Sequence, residues 1–245
     1  PDVNRSSDRF TVEPGGIRFG LVAIKNIGRG FIQSVVRERE QGGSFTSLQD
    51  FCDRMYDCGD MNKRAVENLI RSGAFDSMGA RRSQLLAVYE KVLDGIGNVR
   101  RRNVEGQIDF FGMSAANSTV ETVVMPDIPE FTATERMHME KETTGLYLSG
   151  HPMVGYRAAA RSSGAVTLNE ILEDVSSEEG PTRFADGMPV TVAGIVASSK
   201  TRPTKNGTLM AYVVLEDETA SMELLCFSRV LERCGSYLAV NSPVL

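Results

Sequence analysis

Apolar residues in the first hundred positions recur at spacings of three and four, the period of a helix that buries one face. Leu21 and Ile24 are followed by Phe31, Ile32, Val35 and Val36, with the glycine-containing break Asn26-Ile27-Gly28-Arg29-Gly30 between them. A second helical stretch covers residues 62–71, with Val66, Leu69 and Ile70 on one face. Gly73-Ala74-Phe75-Asp76 ends it, and a third stretch follows over residues 82–93. Gly28 and Gly73 lie 45 positions apart, each between helical stretches, so the pattern predicts a duplicated helix–hairpin–helix. Upstream, residues 10–13 and 16–19 flank the turn dipeptide Pro14-Gly15 and predict a short β-hairpin.

Periodicity fades from Asn98 to Pro129, which reads as loop or linker. Helical spacing returns over residues 135–148 and stops at Ser149-Gly150 and Pro152. After an acidic stretch at 170–180 the pattern changes to strands, at 190–196, 210–215 and 222–227, with turns at Gly207 and at Glu218-Thr219-Ala220. A short helix around 229–233 and the start of a fourth strand follow. This predicts an α+β chain: a mainly helical tandem helix–hairpin–helix domain, then an incomplete antiparallel barrel. The expected boundaries are 1–113 for the helical domain, 114–185 for a linker with a helix, and 186–245 for the barrel. A barrel of three strands and a start would leave an edge open to pairing with another chain. Pro1 at one end and Pro243-Val244-Leu245 at the other read as cuts within a longer polypeptide.

Charge changes this picture. The net charge of −5 argues against nucleic acid, but its distribution does not. Residues 61–102 carry nine Lys/Arg against four Asp/Glu, and residues 103–180 carry four against thirteen. Local charge sets the field that a phosphate feels. The bland reading of the same counts is a pair of solvated helical faces. Cys52, Cys58, Cys226 and Cys234 lack the short spacing of a structural zinc site, and His138 and His151 lie too far apart to complete one. They read as reduced thiols of a cytoplasmic protein. No apolar run approaches the roughly 18 residues of a membrane span.

Three segments carry candidate chemistry. Lys25, Asn26, Gly28, Arg29 and Gly30 combine a backbone open to close approach with a helix N-terminus and two cations, which suits a phosphodiester. Such contacts read no base edges, so the binding expected is sequence-independent. Gly73 in the second hairpin is the weaker partner, serving DNA or only packing. Gln107, Ile108, Asp109, Phe110 and Phe111 form an aromatic-tipped peptide in a polar loop, suited to a groove on another protein or else tucked back onto the domain. In the barrel, Lys200, Arg202 and Lys205 surround the first inter-strand loop, and with Tyr212 they suit single-strand contacts. Residues 181–245 are neutral overall, six cations against six anions, which weighs toward a structural role. Glu216-Asp217-Glu218 reads as a solvated turn. The chain has no P-loop, no paired Asp-x-Asp after a strand, no metal-ligand cluster and no nucleophile–base pair, so no catalytic residue is expected in it.

The order of three blocks resembles the alpha subunit of bacterial DNA polymerase III in its C-terminal third. They are Ile17 to Leu21 leading to Ala23 through Gly28; Leu69 through Asp76; and Glu140-Lys141-Glu142 with Gly145 through Pro152. Residues 188–228 look like that family's OB-fold. The resemblance implies a helix–hairpin–helix domain that binds double-stranded DNA. It also implies a peptide, here Gln107 to Phe111, that docks on the sliding clamp (the beta subunit); Ile108 and Phe110 stand where leucine is commoner. Other replicase subunits are implied as partners, and Mg2+ is the metal expected for the parent DNA-directed polymerase, with its catalytic carboxylates outside this chain. Two competing readings are an anticodon-binding module of an aminoacyl-tRNA synthetase and a repair or recombination protein built on helix–hairpin–helix units without polymerase activity.

Overall fold

Among the described residues the first part of the chain has five α-helices, the first four of which share one apolar core. They are α1 (Arg29–Gly42), α2 (Leu48–Met55), α3 (Lys63–Arg71), α4 (Arg82–Val104) and α5 (Ala133–Thr144). The computed structural model describes residues 1–59, 61–104, 123–177 and 180–245. It divides into two units, Pro1–Leu148 and Ser149–Leu245.

In the first unit the helical period does what it predicts: Phe31, Ile32 and Val35 of α1, Phe51 and Met55 of α2, Val66, Leu69 and Ile70 of α3, and Leu85, Val92 and Ile96 of α4 are buried together. Phe51 is fully buried, and its ring meets Phe31, Phe45 and Phe75 edge-on at centroid distances of 6.3, 4.9 and 5.0 Å. Each such pair adds about 0.5–1.5 kcal/mol beyond area burial. Cys52 sits in the same core, and burial, with the nearby charge of Asp53, pushes its thiol up to about 12, so it stays protonated and inert. The expected β-hairpin forms as β1 (Thr11–Glu13) and β2 (Gly16–Arg18), with Val12 opposite Ile17.

Four expectations are corrected here. The helix before the first hairpin is a single 3-10 turn, Leu21–Ala23. Helix α4 runs on into the stretch read as loop, as far as Val104. Its last turns are held by polar contacts that leave no apolar period: Arg100 pairs with Asp53 and Asp57 and stacks over Tyr56. Helix α5 starts at a capping box formed by Thr132 and Glu135, and it ends earlier than expected, at Gly145, whose φ of +83° breaks the helix. Residues 123–148, assigned by pattern to a linker, belong to the first unit, with Val123 and Met125 packed on its core.

The second unit holds α6 (Arg157–Ser162), α7 (Leu168–Val175) and a four-stranded antiparallel sheet in the order β5-β4-β3-β6. Its strands are β3 (Gly194–Pro203), β4 (Leu209–Glu216), β5 (Ser221–Cys226) and β6 (Pro243–Val244). The sheet is an incomplete OB-like half-barrel. Along β4, Ala211, Val213 and Leu215 are buried while Met210, Tyr212 and Val214 face the other side. Leu231 of α8 (Ser228–Cys234) packs on the buried face. Strand β3 starts later and runs further than its apolar run suggested, because its second half alternates hydroxyls with Lys200 and Arg202. Val192, read as strand, makes only a parallel bridge to Val166.

Glu130 shows how a residue outside any helix can start one. Its carboxylate accepts the backbone N–H groups of Arg82 at 2.8 Å and Ser83 at 3.1 Å, the first residues of α4. Burial pushes its pKa up, but those N–H groups, that of Phe131 and the charge of Arg136 outweigh it and hold the carboxyl below its ordinary value. Its stabilising effect is therefore complete above the unfolded value of about 4.3 and is lost as the pH falls through the lower folded one. Glu130→Gln is expected to cost about 1 kcal/mol at neutral pH. Urea unfolding of the first unit should show that gap narrowing on acidification; a gap independent of pH would refute the assignment.

Candidate nucleic-acid interface

The first hairpin hangs from Ile24, which is buried, and turns through Asn26, whose φ of +61° is left-handed. Asparagine tolerates that conformation better than other non-glycine residues. The two glycines are not needed for backbone handedness: Gly28 has φ −69° and acts as the N-cap of α1, with Arg29 and Gly30 as the first helical residues. What Gly28 does is leave the helix uncapped. Ser47, Asn62, Thr132 and Thr167 each cap their helices through a side-chain oxygen, but no side chain does so for α1. The first-turn amides of α1, with the positive end of its dipole, therefore lie at an exposed surface of Lys25, Asn26, Gly28, Arg29 and Gly30. Among the described residues nothing pairs with the Arg29 guanidinium.

Lys25 is used differently from what its charge alone suggested. Its ammonium donates to the Glu142 carbonyl at 2.9 Å, and its backbone N–H donates to the Thr143 carbonyl at 2.8 Å. Its own carbonyl accepts Asn68 Nδ2 at 2.7 Å. Lys25 thus fixes the hairpin, although its exposed ammonium keeps two further donors.

The second hairpin does not offer Gly73 to a ligand. Gly73 is buried at φ +81°, and a Cβ there would lie 2.3 Å from Arg82 Nη2 and 2.9 Å from Asp76 Oδ2. The Arg82 guanidinium covers the glycine. Arg82 bonds Asp76 at 2.7 Å, Glu140 at 2.9 Å and the Arg71 carbonyl at 3.3 Å. Burial works against its charge, but the hydrogen bonds and charges of Asp76 and Glu140 more than offset this and raise its pKa. Sequence reasoning missed both Arg82 and Glu140 because each looks like an ordinary solvated helix residue. The peptide Gln107, Ile108, Asp109, Phe110 and Phe111 lies outside the described residues.

In the second unit, the pleat brings the predicted residues to one face. Lys200 stands directly across from Tyr212, and the Arg202 guanidinium lies 5.9 Å from the Tyr212 ring centroid. Leu225, unremarked in the sequence, stands opposite Tyr212 on β5 and is half exposed. Lys205 is exposed in the β3–β4 turn, which is closed by Thr204 N–H donating to Thr208 O at 2.7 Å. The acidic turn at 216–218 is structural: Asp217 accepts the N–H of Leu168 at the start of α7, and Glu218 pairs with Arg157. Among the described residues no group of three or more His, Cys, Asp or Glu is placed to hold a metal. No helix among them is long and apolar enough to cross a membrane.

Residues 1–85 match a family model described as a helix-hairpin-helix motif. The chain is 35% identical to the DNA polymerase III subunit alpha of Deinococcus radiodurans, with all of this chain and 18% of that protein aligned. It is 34% identical to the subunit alpha of Vibrio cholerae, over 97% of this chain and 20% of the relative. For Thermus aquaticus the identity is 35%, over 100% and 19%. These relatives do not favour the repair-protein or synthetase readings. From end to end, therefore, this chain belongs to the DNA polymerase III alpha-subunit family, of whose members it spans about a fifth of the length.

Proposed function

We propose that this chain is the part of a replicative DNA polymerase that grips duplex DNA and tethers the enzyme to its sliding clamp, without catalytic residues of its own. The nucleotidyl transfer of the full-length subunit, with its magnesium, is assigned to segments of the relatives that this chain does not cover. The observation that carries the reading is the uncapped, exposed start of α1 within the matched helix–hairpin–helix region, with Arg29 beside it unpaired. A phosphodiester oxygen accepts hydrogen bonds from those first-turn amides, and Arg29 neutralises the charge and releases a counterion. Neither group reaches a base edge, which suits an enzyme that must hold every sequence equally well. Arg29→Glu is expected to weaken duplex binding about tenfold at every sequence and to reduce the salt slope by about one. An unchanged slope would remove the hairpin from the contact.

Clamp docking is assigned to Gln107 through Phe111, with Gln107 as a two-way hydrogen-bonding amide and Ile108, Phe110 and Phe111 as pocket-filling groups. A peptide of residues 103–114 should bind the clamp, and changing Phe110 and Phe111 to Ala should abolish binding. Equal binding by both peptides counts against this assignment.

A second contact, to single-stranded DNA, is supported by the convergence of Lys200, Arg202 and Tyr212 on one sheet face, with Lys205 in the adjoining turn. Tyr212→Ala should cost about 1–3 kcal/mol of single-strand affinity, while Tyr212→Phe, which keeps the ring, should not. Loss in both variants, or in neither, argues against base stacking.

A further inference from the structure

The block that begins at Glu140 is one of the three that carry the resemblance, yet the proposed phosphate contact uses none of it. Its first residue is a buried charge: the Glu140 side chain is 1% exposed and that of its partner Arg82 is 5% exposed. One Glu140 oxygen accepts Arg82 Nη2 and the other accepts the Leu148 N–H, both at 2.9 Å. Arg82 is in turn fixed to Asp76 and the Arg71 carbonyl, so the pair fastens α5 to the second hairpin.

Two residues further on, the same helix carries the first hairpin. The Glu142 and Thr143 carbonyls, at the negative end of α5, receive the Lys25 ammonium and amide. Arg71 of α3 pairs with the Glu142 carboxylate, and Asn68 of α3 holds the Lys25 carbonyl. Lys25 is therefore gripped from two helices, four residues before Arg29.

We propose that Glu140 is a positioning residue for the DNA-binding hairpin. Through α5 it fixes Lys25, and with it the aim of Arg29 and the open first turn of α1, while touching no DNA itself. The physical gain is preorganisation: a hairpin whose Lys25 is already held from two helices loses little freedom when a phosphate arrives. The second hairpin, on this account, is a buttress for the first. The inference rests on the duplex-binding reading above.

The exposed end of the clasp gives a test in which charge and position predict opposite signs. Glu142→Arg replaces an anion by a cation beside a phosphate site, so electrostatics alone calls for tighter duplex binding. A working clasp calls for the reverse, since Arg71 then faces a like charge and α5 is pushed from Lys25. In the full chain we expect Glu142→Arg to weaken duplex binding about five- to tenfold, with the exchange Arg71→Glu plus Glu142→Arg restoring it to within about twofold. Glu140→Gln should weaken binding similarly and lower hydrogen-exchange protection of the Lys25 amide, while the Phe51 amide stays protected, which separates loss of position from unfolding. Equal or tighter binding by Glu142→Arg, with Arg29→Glu still impaired, overturns the clasp and leaves the duplex reading standing. If Arg29→Glu also binds normally, the duplex reading itself fails.

Discussion

A guanidinium taken out of water must be paired on nearly every donor, and this requirement at Arg82 organises the helical unit. Its partners come from three places: Asp76 in the second hairpin, Glu140 in α5 and the carbonyl of Arg71 at the end of α3. Burying such a group costs several kcal/mol, which good geometry must offset. Once it is offset, the end of α3, the second hairpin and α5, whose Glu140 lies 58 positions along the chain, are locked to one point. The glycine beneath Arg82 follows from the same constraint, since no side chain fits between the backbone and the guanidinium.

With that point fixed, the cations of the unit divide by whether protein already satisfies them. Arg54, Arg71, Arg82 and Arg100 each face carboxylates, and Lys63 bridges Glu90 and Asp94. These charges hold helices together and contribute little to the field outside. Arg29 has no such partner and lies at the one described α-helix start of the unit, among those with an assigned N-cap, that lacks a side-chain cap. A chain with net charge −5 can thus still present a local site for a polyanion, because counting residues weighs spent and unspent charges alike.

The half-barrel obeys a simpler rule. Alternation along β4 sends Ala211, Val213 and Leu215 to the packed face and so obliges Tyr212 to face outward, where its register partner Lys200 and the next outward residue of β3, Arg202, meet it. The acidic turn that a metal-minded reading would single out is used instead to cap α7 through Asp217.

The sequence by itself determined helices α1, α3, α5 and α8, the first part of α4, the places of the two hairpins and the sheet, because periods of 3.6 and 2 are local properties. The order of its motifs also determined the family. Only the tertiary structure decided which cations are free, that Gly73 is covered and that residues 123–148 join the helical unit. It also extended α4 beyond its apolar stripe and shortened α5. Those outcomes turn on contacts such as Arg82 with Glu140 and Lys25 with Thr143, between residues 58 and 118 positions apart. Spacing along a chain carries no record of partners at such separations: a glutamate bound for the interior and one bound for solvent look alike until the fold supplies the arginine.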